Sequence, residues 1–246
     1  MSKTYFISDL HLSEERPDIS AAFFTFLKQH IDCATDALYI LGDFFEVWVG
    51  DDYQTPLTQQ VASELNKLAQ QGTAIYFVHG NRDFLLGKNY AATAGIQLLP
   101  EQSLIDLYGE KAVILHGDEM CTQDVEYQKF RKKSRGWWWP KLMLTLPLWY
   151  RQSVAKKARA KSKLSQQGKT QQILDVTDEA VLAMFEQFKV NLMIHGHTHR
   201  PNIHQYSTAQ NTCKRIVLGD WYDQGSYLLV TAEEKKLVFT PFEEKA

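Results

Sequence analysis

The stretch TYFISDLH, residues 4–11, has the pattern that decides the fold. Its first four residues are all β-branched or aromatic, as in a buried strand, and Asp9 and His11 follow closely. An extended backbone would turn both of these side chains to one side. The stretch therefore predicts a buried strand that ends in two potential metal ligands.

Three later stretches repeat this strand pattern. Residues 37–41 (ALYIL), 74–78 (AIYFV) and 111–115 (KAVIL) predict further buried strands bounded by turn residues. Helical spacing of apolar residues predicts helices over Ile19–Ile31 and Pro56–Gln71. Strands and helices that alternate in this order favour an α/β fold with helices outside a largely parallel sheet.

The segment from Thr122 to about Lys169 interrupts this alternation, because it is basic, helix-prone and without a strand pattern. Alternation resumes with a helix near Asp175–Phe188 and a strand at 191–194. We therefore predict one domain over residues 1–246, with an insertion at about 122–170 that we call the lid insertion. Three further strands, expected to be antiparallel, follow at 215–218, 226–230 and 236–240.

The composition is that of an ordinary globular protein, with 44% apolar and 23% charged residues among 246. Its three cysteines are isolated, which favours a reduced compartment and argues against a thiolate metal site. No run approaches the roughly 20 apolar residues that span a bilayer, and the first residues show no secretory signal. We expect a protein that is cytosolic or held to a membrane from the cytosolic side.

Charge is distributed unevenly along the chain. Between Tyr127 and Leu174 there are thirteen Lys or Arg residues and no Asp or Glu, whereas the remainder has 14 basic and 29 acidic residues. A basic block of this size is typical of a surface that meets nucleic acid, anionic lipid or an anionic substrate.

Potential metal ligands follow predicted strands at five places. Nitrogen and oxygen ligands without sulfur favour Mn²⁺, Fe, Co²⁺ or Zn²⁺. Two such cations, bridged by a carboxylate, can activate water and stabilise displacement at phosphorus. The candidates are Asp9, His11, Asp43, Asn81, His116, His197 and His199.

Each motif has a simpler explanation when it is taken alone. A single Asp-x-His or Gly-Asp occurs by chance, and His197 and His199 could lie on a capped turn with exposed side chains. All five motifs, however, occur at predicted strand ends, where open α/β sheets bind their ligands. The ordered set therefore favours a metal site.

The series DLH, GDFFE, GNRD, HGD and GHTH resembles the calcineurin-like metallophosphoesterase superfamily over residues 9–199. The resemblance implies a sandwich of two β-sheets flanked by helices, here with the helical lid insertion. It also implies two divalent cations bridged by Asp43. One would be held by Asp9, His11, Asp43 and His199, and the other by Asp43, Asn81, His116 and His197.

Arg82 departs from this resemblance, because many members of the superfamily have histidine after the Gly-Asn pair. A guanidinium does not act as a general acid, but it can clamp phosphate oxygens. This favours a leaving group that needs little protonation, such as the phosphate released from a pyrophosphate bond. The simpler explanation is a surface turn at Arg82 and Asp83.

The lid insertion is rich in tryptophan, with four of the six in the chain, beside five aliphatic or methionine residues between 142 and 148. Aromatic and aliphatic residues among Lys and Arg fit a membrane interface or an amphiphilic substrate. Pro140 and Pro147 interrupt the run, so it cannot span a bilayer. The alternative is a helical hairpin packed on the domain with a solvated basic face.

GNRDFLLG, LHGD, YQKFR, KSK and IHGHTHRP together resemble the UDP-2,3-diacylglucosamine diphosphatase family of lipid A biosynthesis over nearly the whole chain. The resemblance implies attack at the nucleotide-side phosphorus, which releases UMP and 2,3-diacylglucosamine 1-phosphate. It implies Mn²⁺ as the cofactor, a UDP-diacylglucosamine-type lipid as the substrate, and peripheral contact with lipid at the cytoplasmic face of the inner membrane.

The resemblance also implies site residues. Gln166 departs from it, since relatives often have Asn there. The catalytic group would be Asp43, Asn81, Arg82, His116 and His197. The substrate contacts would be Asn81, Arg82, Asp124, Tyr127, Ser162, Gln166, Lys169 and His197.

Three other functions fit parts of the sequence. A soluble nucleotide or cyclic-nucleotide phosphodiesterase of the same superfamily would not need the tryptophan-rich lid insertion. A nucleic-acid-binding protein would use the basic block, but this block lacks a groove-reading motif, so we expect no nucleic acid. A scaffold without metals would not need the complete ligand set. The sequence predicts no oligomeric state.

Overall fold

The chain forms two β-sheets. The computed structural model describes residues 2–166, 170–207 and 211–241, apart from the side chains at positions 163, 166, 171 and 172. Its strands are β1 (Lys3–Ile7), β2 (Thr35–Ile40), β3 (Ala74–Phe77), β4 (Ile96–Leu98), β5 (Gln102–Leu107), β6 (Glu110–Leu115), β7 (Leu192–His195), β8 (Asn202–Ser207), β9 (Thr212–Val217), β10 (Gln224–Val230) and β11 (Lys235–Pro241).

The two helices predicted in the first half are confirmed within a few residues. The second begins at Pro56, where proline fits the first turn and Thr55 and Thr58 cap each other's backbone. The described helices are α1 (Pro17–His30), α2 (Pro56–Gln70), α3 (Lys88–Ala94), α4 (Val125–Ser134), α5 (Trp139–Thr145), α6 (Leu148–Gln166), α7 (Gln171–Leu174) and α8 (Asp178–Phe188).

The strand order brings the ends of the early strands together. The first sheet has the order β11-β10-β1-β2-β3-β4, in which β1 to β4 are parallel. The second has the order β5-β6-β7-β9-β8, in which β6, β7 and β9 are parallel. The carboxyl ends of the parallel strands in one sheet lie at the same edge, and the predicted ligands follow those ends.

The three C-terminal strands were expected to be antiparallel, and this is correct for two of them. β10 and β11 form an antiparallel pair from Gln224–Pro241 to Val230–Lys235. β9 instead lies in the other sheet, parallel to β7 and antiparallel to β8. The sequence prediction missed β8 because this edge strand buries none of its side chains, so it lacks the apolar pattern that reveals a strand.

Three apolar layers hold the fold together. One lies between the sheets and includes Phe6, Leu41 and Ile194. The second packs α1, α2 and α3 on the outer face of the first sheet, and the third packs α8 on the outer face of the second. The predicted sandwich of two β-sheets flanked by helices is confirmed.

Helices α4, α5 and α6 occupy the lid insertion and expose many of their apolar side chains. Trp137 is 80% exposed and Trp149 is 69% exposed, whereas Met143 is the buried residue of α5. The alternative of a hairpin that packs its apolar face on the domain therefore does not describe these residues. Exposed apolar area of this kind is typical of a binding surface.

Contacts at Arg151 and Trp139 help to tie the lid insertion to the rest of the chain. Arg151 of α6 is 3% exposed and donates hydrogen bonds to the Val49 carbonyl (2.6 Å) and to the Asp52 carboxylate. The Trp139 ring lies 5.9 Å from that of Phe84. Of the helices in the described ranges, none combines the length and apolarity needed to cross a membrane.

Candidate metal centre

The seven predicted ligands converge where strands of both sheets end. In the described residues, seven non-glycine residues have positive φ, and five of them are predicted ligands: Asp9, His11, Asp43, His197 and His199. The expectation of an extended backbone at Asp9 and His11 is wrong, since their φ angles are 57° and 53°. Left-handed backbone is costly outside glycine, and it clusters at functional sites.

A first cluster joins the beginning and the end of the ligand series. Asp9, His11 and His199 each offer one ligand atom, and these atoms all lie within 4.8 Å of one another. Nε2 of His199 lies 3.3 Å from Oδ1 of Asp9. A single cation could therefore contact all three side chains.

A second cluster lies beside it and shares Asp9. Here Asp9, Asp43 and His116 bring their ligand atoms within 4.8 Å. Asp43 lies between the clusters, with one oxygen 3.8 Å from Nε2 of His11 and the other 3.7 Å from Nε2 of His116. This is the position that the bridging prediction requires.

Asn81 and His197 complete the second cluster. The Nδ1 of His116 donates to the Leu41 carbonyl (2.8 Å), which leaves its Nε2 facing Oδ1 of Asn81 at 3.0 Å and Nδ1 of His197 at 3.2 Å. Acceptor atoms this close repel one another unless a proton or a cation lies between them. A divalent cation would relieve the repulsion and use all three atoms.

Buried polar atoms without partners give an independent test of the fit. Oδ1 of Asp9 and Nε2 of His11 are buried and have no hydrogen-bond partner among the described residues. Burying such atoms without a partner is costly, and native proteins rarely do it. The donor set of nitrogen and oxygen fits divalent cations such as Mn²⁺ or Zn²⁺.

The protonation states of two histidines also favour metal binding. Burial lowers the pKa of His11 to about 4, and burial with the nearby His116 lowers the pKa of His197 to about 4. Both are therefore neutral at pH 7, which is the form that binds a cation. Burial also acts on His199, but Asp9 and Asp220 outweigh it and raise its pKa to about 10. A cation there would displace a proton.

Two carboxylates that the sequence analysis missed orient the histidines. Glu46 lies 2.9 Å from Nδ1 of His11, and Asp220 lies 3.1 Å from Nδ1 of His199. Such contacts direct the other ring nitrogen, Nε2, toward the metal. A signal for Asp220 was present, because the triplet Leu-Gly-Asp at 218–220 repeats the one at 41–43.

Arg82 lies at the centre of the site. Its backbone N–H donates to Oδ1 of Asp43 (2.8 Å), and its side chain is 21% exposed. Asp83 is completely buried and accepts from the N–H groups of Gly80 (2.8 Å) and Phe44 (2.7 Å), so it ties two ligand loops together. The alternative of a surface turn at these residues is therefore wrong.

The predicted substrate contacts reach the centre to different extents. The Tyr127 ring stacks on His197 at 6.1 Å, and buried Asp124 accepts from the Tyr127 N–H (3.0 Å) at the start of α4. Ser162 is half-buried on α6. The side chain of Gln166 and the whole of Lys169 lie outside the described residues.

His79 and His195 lie outside both clusters. His79 contacts the Leu86 carbonyl through Nε2 (2.8 Å), and fully buried His195 contacts Arg215 (3.2 Å). Burial lowers the pKa of His195 to about 3, so it is a neutral residue packed behind the centre.

The sequence model of the calcineurin-like phosphoesterase family matches residues 2–201. The chain is 52% identical over 241 residues to the UDP-2,3-diacylglucosamine hydrolase of Shewanella sp. (strain ANA-3), covering 98% of this chain and 99% of that protein. It is 49% identical over 239 residues to the protein of that name from Yersinia enterocolitica, covering 97% and 99%. The chain belongs to the calcineurin-like phosphoesterase family.

Proposed function

We propose that the protein hydrolyses the pyrophosphate bond of UDP-2,3-diacylglucosamine in lipid A biosynthesis. Attack at the nucleotide-side phosphorus would give UMP and 2,3-diacylglucosamine 1-phosphate. The observation that carries the proposal is the paired ligand cluster around Asp43 in a chain about half identical, over nearly its full length, to hydrolases named for this substrate.

The two clusters of candidate ligands define the positions proposed for the metal ions. A pair of divalent cations supplies, when bound, an activated water and positive charge for displacement at phosphorus. We assign Mn²⁺ to both positions, as the resemblance to the UDP-2,3-diacylglucosamine diphosphatase family implies, and nitrogen and oxygen ligands without sulfur suit this cation. One position takes Asp9, His11, Asp43 and His199, and the other takes Asp43, Asn81, His116 and His197.

Arg82 is assigned to the phosphate. The hydrogen bond between its backbone N–H and Asp43 fixes the residue beside the centre, and its Nε has no hydrogen-bond partner in the described part of the chain. The guanidinium can hold two phosphate oxygens, but it has no proton to give to the leaving group. A sugar 1-phosphate leaves without protonation, which matches this residue.

The sugar is assigned to the side of the site formed by α4 and α6. The Tyr127 hydroxyl donates to Asp118, so Tyr127 offers its ring rather than its hydroxyl to a ligand beside His197. Asp124 caps the start of α4, and Ser162 lies on α6. Gln166 and Lys169 remain predicted contacts.

The exposed apolar residues of the lid insertion are assigned to the acyl chains and to the membrane surface. Trp137, Trp149 and Leu142 are at least half exposed, and basic residues surround them. Such a surface combines apolar insertion with attraction to anionic lipid. We place the protein on the cytoplasmic face of the inner membrane as a peripheral protein.

The experiment that tests this function compares acylated with deacylated substrate. We expect kcat/KM for UDP-2,3-diacylglucosamine to exceed that for UDP-glucosamine by roughly 100-fold or more. Burial of only about four methylene groups would contribute about 3 kcal/mol, which corresponds to that factor. Release of UMP measures both reactions. Hydrolysis of bis(p-nitrophenyl) phosphate, which has no acyl chain, serves as the control for an intact metal centre.

Equal turnover of the two sugar nucleotides would defeat the lipid assignment. It would favour a phosphodiesterase that acts on soluble nucleotides and leaves the lid insertion without a role in catalysis.

Membrane contact is tested with vesicles that contain phosphatidylglycerol. Replacing Trp137 and Trp149 together with serine is expected to weaken cosedimentation about tenfold. If each ring buries about 30 Å² in the interface, the pair contributes about 1.5 kcal/mol. Phe239→Ser is the matched control, because Phe239 is 51% exposed but lies on β11. Equal binding by the double variant and the control would contradict the assignment.

A further inference from the structure

Glu46 lies between a predicted metal ligand and the lid insertion. Its Oε2 lies 2.9 Å from Nδ1 of His11, and its Oε1 forms an ion pair with Arg159 of α6. The carboxylate is 16% exposed. One side chain therefore contacts the centre with one oxygen and the lid insertion with the other.

The surroundings hold His11 and Glu46 in fixed places. The Glu46 N–H donates to the Leu12 carbonyl (3.1 Å), and the Tyr222 ring stacks on the His11 ring at 5.2 Å with an interplanar angle of 8°. Although Nδ1 and Oε2 are close, neither atom forms a geometrically complete hydrogen bond. The orientation of the Glu46 carboxylate therefore decides whether Nδ1 of His11 gains a hydrogen bond.

Helix α6 has few other polar attachments. In its described part, ion pairs to the rest of the chain occur at Arg151 with Asp52, near the start of the helix, and at Arg159 with Glu46. Lys156 and Lys157 between them are exposed and make no ion pair in the described part of the chain. The Arg159 contact thus holds the later half of the helix against the site.

We propose that Glu46 and Arg159 couple divalent-cation binding at His11 to the seating of α6. Arg159 holds the Glu46 carboxylate against Nδ1 of His11, which directs Nε2 toward the cation. A cation on Nε2 makes the Nδ1–H a stronger donor, so it fixes the Glu46 carboxylate in the position where its other oxygen meets Arg159. Because linkage is reciprocal, each event favours the other. Arg159 is a positioning residue in this scheme.

This coupling rests on the metal centre of the proposed function and adds a consequence for the lid insertion. Without a cation in the centre, α6 is held less firmly against the site. With a cation bound, the lid insertion is ordered over the site. An amphiphilic substrate would then meet a formed groove beside a complete centre.

The first test is calorimetric titration of the chelator-treated full chain with Mn²⁺. We expect Arg159→Met to raise the Kd of one manganese about fivefold or more, and Glu46→Gln to raise it about tenfold or more. The double variant should show less than the sum of the two effects, since both remove one relay. Lys157→Met removes the same charge from the same helix and should bind Mn²⁺ as the unaltered chain does.

The second test is amide hydrogen exchange of residues 149–162. Mn²⁺ is expected to slow exchange in the unaltered chain and in Lys157→Met, but not in Arg159→Met or Glu46→Gln. This readout does not depend on catalysis.

Three results would overturn the inference. The first is a Kd of Arg159→Met equal to that of Lys157→Met while Glu46→Gln binds weakly, since Glu46 would then orient His11 alone. The second is exchange in α6 that does not respond to Mn²⁺ in the unaltered chain. The third is an unaltered chain that binds no Mn²⁺, which would remove the proposed metal centre as well; the first two leave that centre intact.

Discussion

Asp43→Ala is expected to lower hydrolysis by more than about 100-fold and to lower the bound metal below two ions per chain. Asp43 contacts a histidine from each cluster, at 3.8 and 3.7 Å, and it is 2% exposed. Carboxylates that only orient a metal-binding histidine already account for roughly 10- to 100-fold in affinity or activity. A carboxylate shared by both cations should account for more. Steady-state kinetics and elemental analysis of the same samples measure the two effects.

The fold should survive this change. Asp43 accepts the Arg82 N–H at 2.8 Å, and leaving that donor unpaired costs about 1–3 kcal/mol, less than the stability of a typical domain. Asp43→Asn keeps an oxygen for this N–H, so it should lose activity with still less effect on stability. Asp106→Asn, at an exposed position on β5, is the control. Full activity of either Asp43 variant at normal metal content would falsify the assigned centre.

The convergence of the candidate ligands was predictable because each candidate follows a buried strand. Apolar β-branched and aromatic runs reveal the strands, and the sheet topology then brings their ends together, as for Asp9 and His116. The local backbone was not predictable from this argument. The pattern implied an extended chain at Asp9 and His11, whereas tight turns with positive φ aim these side chains inward.

The residues that the sequence did not reveal act through tertiary contacts. Glu46 lies three residues after a predicted ligand, but its distance to Arg159 depends on how α6 crosses the domain. Asp83 joins the backbone of two separate loops. No spacing rule encodes the Glu46–Arg159 or the Asp83–Phe44 contact, because these partners are far apart in the sequence.

The elements that could be predicted from the sequence were those with a clear pattern of buried apolar residues. Strands β1, β2, β3 and β6 and helices α1 and α2 were found within a few residues, because burial imposes a period on the sequence. The short helix α3, the short strand β4 and the edge strands β5 and β8 were not predicted, because they are short or bury few side chains. The lid insertion was recognised by charge and tryptophan content, yet the exposure of its apolar face came from the structure.

Asp118 anchors the lid insertion to the centre. It lies two residues after His116 and is completely buried. It accepts hydrogen bonds from Arg131 (2.8 Å), Arg135 (3.4 Å) and the Tyr127 hydroxyl. Burial opposes its ionisation, but Arg135 and other cationic neighbours hold its pKa well below the usual range. Both arginines also reach Glu101, so α4 is held by one network of charges.

Asp118→Ala is expected to lower the free energy of unfolding by about 3–5 kcal/mol, because removing one partner leaves buried charge uncompensated. Arg131 and Arg135 have side chains only 15% and 8% exposed, and the carboxylate that they would still share, Glu101, is 42% exposed. Asp118→Asn keeps hydrogen-bond acceptors and should lose less. Urea unfolding, with an unchanged m-value, measures both losses.

An exposed ion pair provides the matched control for this prediction. Arg16 and Asp18 are also hydrogen-bonded, but their side chains are 38% and 46% exposed. Water already solvates such a pair, so Asp18→Ala should cost at most about 1 kcal/mol. If Asp118→Ala costs no more than Asp18→Ala, the buried network does not hold α4. Other contacts would then have to fix the Tyr127 ring beside His197. A large loss confined to Asp118 would instead show that buried charge fixes the helix from which the lid insertion begins.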